Sequence, residues 1–514
     1  MKFIKKYLFH RSTFLAIAIL IQLFVLLGVI WRFYNYFIYF YGINIFISLV
    51  AVIVILNNNM NPVYKLAWIV PVLLFPIFGV VFYVLFGSKN LGKRSKKKMR
   101  SIKEKTEELL KPNNLMLNEI KLQNKTAANQ SRYIQNHANY PPYYNTTAVY
   151  LRSGEEKFEK LKEELKKAEN YIFLEYFIIA EGEMWDTILD ILRKKAARGV
   201  EVRVIYDDFG CLISLPYKYD EKLEKMGIKT AIFNPLMPIL SSKYNNRDHR
   251  KIAVIDGRTA FTGGINLADE YINRKLKIGH WKDSAIMIKG EAVWSMTVMF
   301  LSMWHYLKRN EDDIMEDFKY DAGISEDNLN TQNGYIQPFA DTPLDNEAVG
   351  EVVYLNIINK AQDYVYITTP YLIIDSEMIT ALTSAAKAGV DVRIITPHRA
   401  DKWYVHLVTR SYYKDLIESG VRIYEYTPGF IHSKTFLSDD SYGVVGTINM
   451  DYRSLYLHFE CGVWLYDCNV IGEIKDDFLK TLEVSREITV EDLKESRKYK
   501  SLAGSVLRIL APLM

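Results

Sequence analysis

The sequence predicts an α/β fold in two similar halves, preceded by apolar N-terminal helices. Three observations predict it. Short β-rich runs alternate with amphipathic helices beyond residue 140, this alternation occurs twice with the same punctuation, and long apolar stretches crowd before residue 88. A chain of 514 residues is also too long for one ordinary core, so two or three domains are expected.

The apolar part comes first. From Ser12 to Trp31 only Gln22 is strongly polar, a second apolar stretch runs from Tyr36 to Leu56, and a third from Leu66 to Phe86. Such windows match a hydrocarbon layer of about 30 Å, and a cleavable signal would not be followed directly by further apolar stretches. Trp31, Phe33, Tyr34, Tyr36, Tyr39 and Tyr41 suit the headgroup layer. Pro71 and Pro76 make the third stretch the one to kink or re-enter. Lys2, Lys5, Lys6 and Arg11 precede the first stretch, while Lys89, Lys93, Arg94 and Lys96 open a basic block after the third. Both ends therefore read as cytoplasmic, which leaves the number of crossings open and favours a cytoplasm-facing remainder. The basic block is either a solvated linker or an element drawn to an anionic leaflet.

Composition excludes other classes. A net charge of +5, much of its excess in one block, does not describe a nucleic-acid-binding surface. Cys211, Cys461 and Cys468 are too sparse for a disulfide framework or a zinc finger.

The duplication is explicit. Tyr171-Ile-Phe-Leu-Glu-Tyr-Phe-Ile-Ile reads as a buried strand; Trp185, Ile188, Leu189 and Leu192 line one helical face; and Gly199 stops that helix before the strand Val200 to Tyr206. The second copy has the strand from Tyr364, the helix face Met378, Ala381, Leu382 and Ala385, and the stop at Gly389. Two such halves can pack about a pseudo-twofold axis with a site between them. The expected organisation is a membrane region over 1–88, a basic linker over 89–140, a first half over 141–325 and a second over 326–514. The second ends in an amphipathic segment around Leu502, Val506, Leu507 and Ile509, which rests on a bilayer or packs on the halves.

Each half then reaches a histidine. His249-Arg-Lys251 is followed by Asp256, Gly263-Gly264 and Asn266; His432-Ser-Lys434 is followed by Asp439, Gly446-Thr447 and Asn449. Each histidine is expected on a strand, where a spacing of two puts imidazole and ammonium on one face, a phosphate site in outline. The asparagine follows seventeen residues after the histidine in both copies, where its amide can donate to a phosphoryl oxygen. Chance places His, Lys and Asp at these offsets on the order of once per ten thousand start positions, so two hits inside one duplicated unit are not coincidence. Asp256 precedes Gly257 in a hairpin-like turn, which gives it a structural reading beside a catalytic one.

These residues resemble the HxKxxxxD motif of the phospholipase D superfamily, over essentially the whole chain after residue 140. Asn246-Arg-Asp-His-Arg-Lys-Ile, Trp281-Lys-Asp283, Thr369-Pro-Tyr371, Arg410-Ser-Tyr-Tyr413 and Gly446-Thr-Ile-Asn-Met-Asp-Tyr-Arg453-Ser454 are similar to segments of bacterial cardiolipin synthases. Two departures stand out: Leu457-His458-Phe459-Glu460 where that family has Leu-Asn-Phe-Glu, and Tyr371-Leu-Ile-Ile374 where it has Tyr-Phe-x-Pro.

The resemblance implies two phospholipase D-like α/β/α sandwich halves in a bacterial cell membrane. It implies an enzyme that moves a phosphatidyl group from one phosphatidylglycerol to another, giving cardiolipin and glycerol through a phosphohistidine, without cofactor or metal. His249, Lys251, Asp256, His432, Lys434 and Asp439 then form the catalytic set, with His249 as nucleophile and His432 as acid and base, or the reverse. Asn266 and Asn449 bind phosphate, while Asp283 and Glu460 hold the imidazoles in the useful tautomer. Trp281, Tyr371 and Tyr413 line a lipid channel or pack in the core. A hydrolytic phospholipase D shares all these residues and differs in admitting water in place of a lipid alcohol; a superfamily nuclease and a membrane scaffold are the more distant alternatives.

Overall fold

The computed structural model describes residues 11–513 apart from 33–36, 59–60, 88–92, 238–241, 309–314, 321–332, 346, 496–503 and 505. Lys2, Lys5, Lys6, Phe33, Tyr34, Tyr36, Lys89 and Leu502, singled out above, lie outside the described residues.

Each half is built on one mixed sheet. In the first, seven strands run in the order Thr146–Leu151, Ala285–Gly290, Thr259–Gly263, Lys251–Ile255, Tyr171–Tyr176, Glu201–Asp207 and Lys229–Phe233. In the second, the order Tyr335–Asp341, Glu460–Tyr466, Tyr442–Gly446, Thr435–Ser438, Tyr364–Thr368, Asp391–Pro397 and Arg422–Tyr426 repeats it, with Ser485–Ile488 added at the far edge. The strand that follows each histidine motif is thus interior to its sheet. It pairs antiparallel both with the second strand of its half, Tyr171–Tyr176 or Tyr364–Thr368, and with its own hairpin partner.

Alternation along the strands decides the layers. Ile172 and Leu174 face the outer core of the first half, under helices Gly154–Lys167 and Glu183–Ala196, while Phe173 faces inward. The inward residues of both sheets share one apolar layer: Phe173, Val254 and Ala260 from the first half meet Ile395, Leu437 and Val463 from the second. The helix Val293–Leu307, apolar nearly all round, is buried in that layer, as its composition requires. A single inner core therefore joins the halves, and each motif sits where the two sheets abut.

The two aspartates of the motif serve this framework. Asp256 and Asp439 both adopt left-handed backbone (φ 51° and 53°) in three-residue hairpin loops, each followed by a second residue of positive φ. The Asp256 carboxylate accepts the N–H groups of Glu169, Asn170 and Tyr171 at 2.7–2.8 Å, and Asp439 those of Gln362, Asp363 and Tyr364 at 2.8–3.0 Å. Each carboxylate ties the hairpin to the start of the neighbouring strand. Neither lies at the histidines, so of the two readings open to them the hydrogen bonds support the structural one.

Residues 93–138, expected as a basic linker, are helical and packed. Lys93–Leu109 lays Ile102 against the body and Lys98 Nζ donates to the Tyr306 carbonyl at 2.9 Å. Asn114–Gln123, Lys125–Tyr133 and the turn Ile134–Ala138 place Ile120, Ala127, Ala128 and Ile134 in the outer core of the second half. The reason is amphipathicity, masked in the sequence by the lysine run.

The N-terminal region contains helices Arg11–Arg32, Phe37–Leu56, Pro62–Leu74 and Pro76–Phe86. The third apolar stretch is therefore not one helix: the chain breaks at Phe75, before Pro76, because proline cannot supply the N–H that would continue the ladder. Its pieces of 13 and 11 residues are each short of the ~20 needed to cross a bilayer. No helix among the described residues is long and apolar enough to cross a membrane. Side chains such as Leu20, Phe24, Trp31, Phe46, Leu74 and Val84 are nevertheless exposed. Pro62–Leu74 docks on the second half: Tyr64 packs edge-on against Tyr452 and Tyr456, and Asn61 donates to Asp375 at 3.0 Å. At the C-terminus Ala511 is buried and Arg508 reaches Asp415 and the Tyr412 ring, while Val506 and Ile509 stay exposed. That segment is packed against the second half.

Loss of the shared acceptor leaves several N–H groups unpaired. Asp256→Ala and Asp439→Ala are expected to cost about 2–4 kcal/mol, seen as a fall of several degrees in the thermal unfolding midpoint in detergent, with Asp256→Asn intermediate.

Candidate active site

Each motif loop is clasped by the opposite half. The His249 N–H donates to the Phe459 carbonyl at 3.0 Å and the Phe459 N–H to the Arg247 carbonyl at 2.8 Å, which brings Glu460 under the first histidine. The His432 N–H donates to the Lys282 carbonyl at 2.7 Å, and the strand Gly429–Ile431 pairs in parallel with His280–Lys282, which brings Asp283 under the second.

The side chains complete the exchange. His249 Nδ1 lies 2.8 Å and 3.1 Å from the two Glu460 oxygens; His432 Nδ1 lies 2.7 Å from Asp283 Oδ2. A carboxylate only accepts, so Nδ1 carries the proton and Nε2 of each ring holds the lone pair. Both carboxylates were expected to orient imidazoles; that each serves the histidine of the other half is decided by the fold. Lys251 and Lys434 follow on the same faces, each donating to the carbonyl of its own histidine.

All of these groups are buried, and the charges act on one another across the halves. Burial drives His249 well below its ordinary 6.5, with Lys251, Lys434 and His432 adding to the effect. His432 is pushed down to about 4 by burial and Lys434, against the pull of Asp283. Burial lowers Lys251 to about 8 and Lys434 to about 7, although Glu460 and Asp283 respectively favour their charged forms. Burial alone would raise the Asp283 carboxyl, but His432 and Lys434 outweigh it and hold it below the carboxylate range. The two motifs therefore share one electrostatic site.

The two asparagines differ. Asn266 is fully engaged: its Oδ1 accepts the Ile178 N–H at 3.0 Å and its amide donates to the Tyr271 hydroxyl at 2.6 Å, placing the Tyr271 ring edge-on to His432. Asn449 is buried with Oδ1 unpartnered. Of the aromatic candidates, Trp281 lies beside His432, with ring centroids 5.5 Å apart, whereas Tyr413 is a core residue whose hydroxyl bonds to Thr396 at 2.7 Å. Tyr371 is half-buried and donates to Asp401 at 2.6 Å.

Three residues named in the sequence take roles that their motif positions do not assign. Thr447 donates its hydroxyl to Glu460 Oε2 and so fixes the first carboxylate. Its counterpart, fifteen residues after the other histidine, is Gly264, where a Cβ would come within 2.1 Å of Asp283 Oδ1. The offset between the two copies was the available signal. His458 is the third: its ring centroid stands 5.6 Å from that of His249. Beside the motif loops, Trp68, Phe75, Phe78, Phe82 and Phe86 of the N-terminal helices form an apolar slot of about 350 Å³, with Arg453 in its wall.

Gly264→Ala is expected to displace Asp283 and lower kcat about 10–100-fold without loss of folding, checked by turnover alongside circular dichroism. The lysine shifts predict a second result. Because the ammonium charge is lost as pH rises through about 7 to 8, kcat/KM falls over that window. A bound phosphodiester returns protons to the lysines, so the limb in kcat lies at higher pH; full pH–rate profiles check both.

Comparison with known proteins agrees with this geometry. Residues 161–304 and 354–482 match the model "Cardiolipin synthase, PLD-like domain", and residues 46–88 match "Phospholipase_D-nuclease N-terminal". The cardiolipin synthase of Halalkalibacterium halodurans is 34% identical over 90% of this chain and 91% of its own length. That of Geobacillus kaustophilus is 35% identical over 91% and 92%. In fold, the crystal structure of phosphatidylserine synthase from Haemophilus influenzae is similar, with TM-score 0.55 and 16% identity over 75% of this chain and 97% of that one. Two paired histidine motifs, a duplicated sheet and relatives matched nearly end to end leave one assignment: the chain belongs to the cardiolipin synthase family of phospholipase D-like proteins.

Proposed function

We propose that this chain is a cardiolipin synthase that joins two phosphatidylglycerol molecules and releases glycerol. The observation that carries the reading is the reciprocal pairing of His249 with Glu460 and His432 with Asp283, which leaves two Nε2 lone pairs beside two buried ammonium groups. That is the equipment for two proton-coupled steps at one phosphorus.

His432 takes up a proton on Nε2 as the phosphodiester anion binds, supported by Asp283 at Nδ1; His249 Nε2 then attacks phosphorus, the P–N bond forms as the bond from phosphorus to the glycerol oxygen breaks, and His432 gives that oxygen its proton. The hydroxyl of a second phosphatidylglycerol then loses its proton to His432 and attacks phosphorus, breaking the P–N bond and restoring both histidines. Phosphodiester bonds are exchanged one for one, so the step needs no nucleotide. Lys251 and Lys434 stabilise the charge that builds on the nonbridging oxygens. Exposed apolar side chains on the N-terminal helices support attachment to a membrane, the lysines and arginines that follow those helices support a cytoplasmic side for the catalytic part, and the adjoining slot suits an acyl chain.

Purified full-length protein in phosphatidylglycerol vesicles is expected to yield cardiolipin and free glycerol in equal amounts. Phosphatidic acid without cardiolipin would make it a hydrolase. His249→Ala and His432→Ala are each expected to lower turnover by at least about 10³-fold, since neither imidazole replaces the other. Quenching in alkaline detergent, where a P–N bond survives, during turnover of phosphorus-labelled substrate should leave label on His249; label on His432 reverses the order.

A further inference from the structure

We propose that His249, His458 and Glu460 form a binding site for a divalent transition metal, with Zn2+ as the fitting ion, and that filling it stops transfer. One ligand atom from each of the three residues lies within 4.8 Å of the others. Two imidazoles and one carboxylate are a zinc donor set, whereas calcium and magnesium take oxygen ligands.

His458 is the residue that points to a ligand. Its side chain is 10% exposed, yet neither ring nitrogen has a hydrogen-bond partner. A buried imidazole left so is anomalous in a packed site. Its Nδ1 stands 3.7 Å from Glu460 Oε1, and His249 Nδ1 stands 2.8 Å from the same oxygen. Ligand atoms around a tetrahedral zinc lie about 3.3 Å apart, so small side-chain rotations suffice. Glu460 is already held for this role, since Thr447 occupies Oε2 and leaves Oε1 directed at both rings. An entry path exists too. His458 lines a cavity of about 340 Å³ with Glu347, Asp375 and Glu377, whose carboxylates concentrate cations.

The block follows from the imidazole itself. A metal shared with Glu460 binds His249 at Nδ1 and displaces the proton there, so the neutral ring's single N–H moves to Nε2 and no lone pair remains for phosphorus. This second clause rests on the proposed phosphatidyl transfer; the binding clause does not.

The test uses the full chain in detergent, stripped of metal. Calorimetric titration with Zn2+ is expected to show one equivalent bound, Co2+ in its place should give visible bands of tetrahedral intensity, and His458→Asn and His458→Gln should each weaken binding at least tenfold. Turnover in phosphatidylglycerol vesicles should fall with the same Zn2+ midpoint. Equal affinity in both folded variants overturns the site. Full turnover at saturating Zn2+ overturns the block. A chain that bound zinc through His458 but made no cardiolipin would contradict the proposed function and leave the site standing.

Discussion

Two imidazole–carboxylate hydrogen bonds, each crossing between the halves, are the constraint around which this molecule is arranged. His249 Nδ1 meets Glu460 at 2.8 Å and His432 Nδ1 meets Asp283 at 2.7 Å, and each pair is reinforced by backbone hydrogen bonds between the same two segments. Neither half contains a complete histidine dyad. The shared inner core, with Phe173 and Val254 on one side and Leu437 and Val463 on the other, fixes the separation at which both exchanges close at once. Removing one member of such a buried pair strands the other, a loss of about 3–5 kcal/mol.

The charges make sense only as a set. Lys251 and Lys434 are buried without solvent to share their charge, and Glu460 and Asp283 are the fixed counter-charges nearest them. Burial pushes the lysines and histidines toward neutrality, and the negative charge of a bound phosphodiester opposes that shift. Preorganised donors in a low-dielectric site are worth most where negative charge develops, which is the phosphoryl group of the transfer. The same crowding accounts for the two small-residue devices: Thr447 holds one carboxylate by a hydroxyl, and Gly264 makes room for the other by having no side chain at all.

The N-terminal helices are continuous with this site. Pro62–Leu74 contacts the second half through Tyr64 and Asn61, and the Phe86 carbonyl accepts from Asn245, four residues before His249. The apolar slot between these helices and Leu457 therefore opens beside the catalytic loops rather than at a remote membrane anchor. For a lipid substrate this coupling shortens the path from an apolar surface to a charged centre, and it gives the break at Phe75–Pro76 a purpose: a folded-back pair of short helices can wall a slot that one straight helix cannot.

Much of this was legible in the chain. Period-two strands, period-3.6 helices and repeated glycine stops gave both halves, because these patterns follow from local geometry that recurs with each copy. The paired motifs named His249, Lys251, His432 and Lys434 for the same reason: a spacing of two on extended chain is a local property. The helices of 93–138 escaped, since a lysine run surrounds Ile102 and the buried Ile120 and Ile134 belong to separate short elements. Tertiary structure alone decided which carboxylate serves which imidazole, that Asp256 and Asp439 brace hairpins, that Asn266 is spent on Tyr271, and that His458 stands unpartnered beside His249. Each of these is a contact between groups far apart in sequence, and nothing in local geometry says which distant groups will meet; that is settled by how two sheets bury one common apolar face.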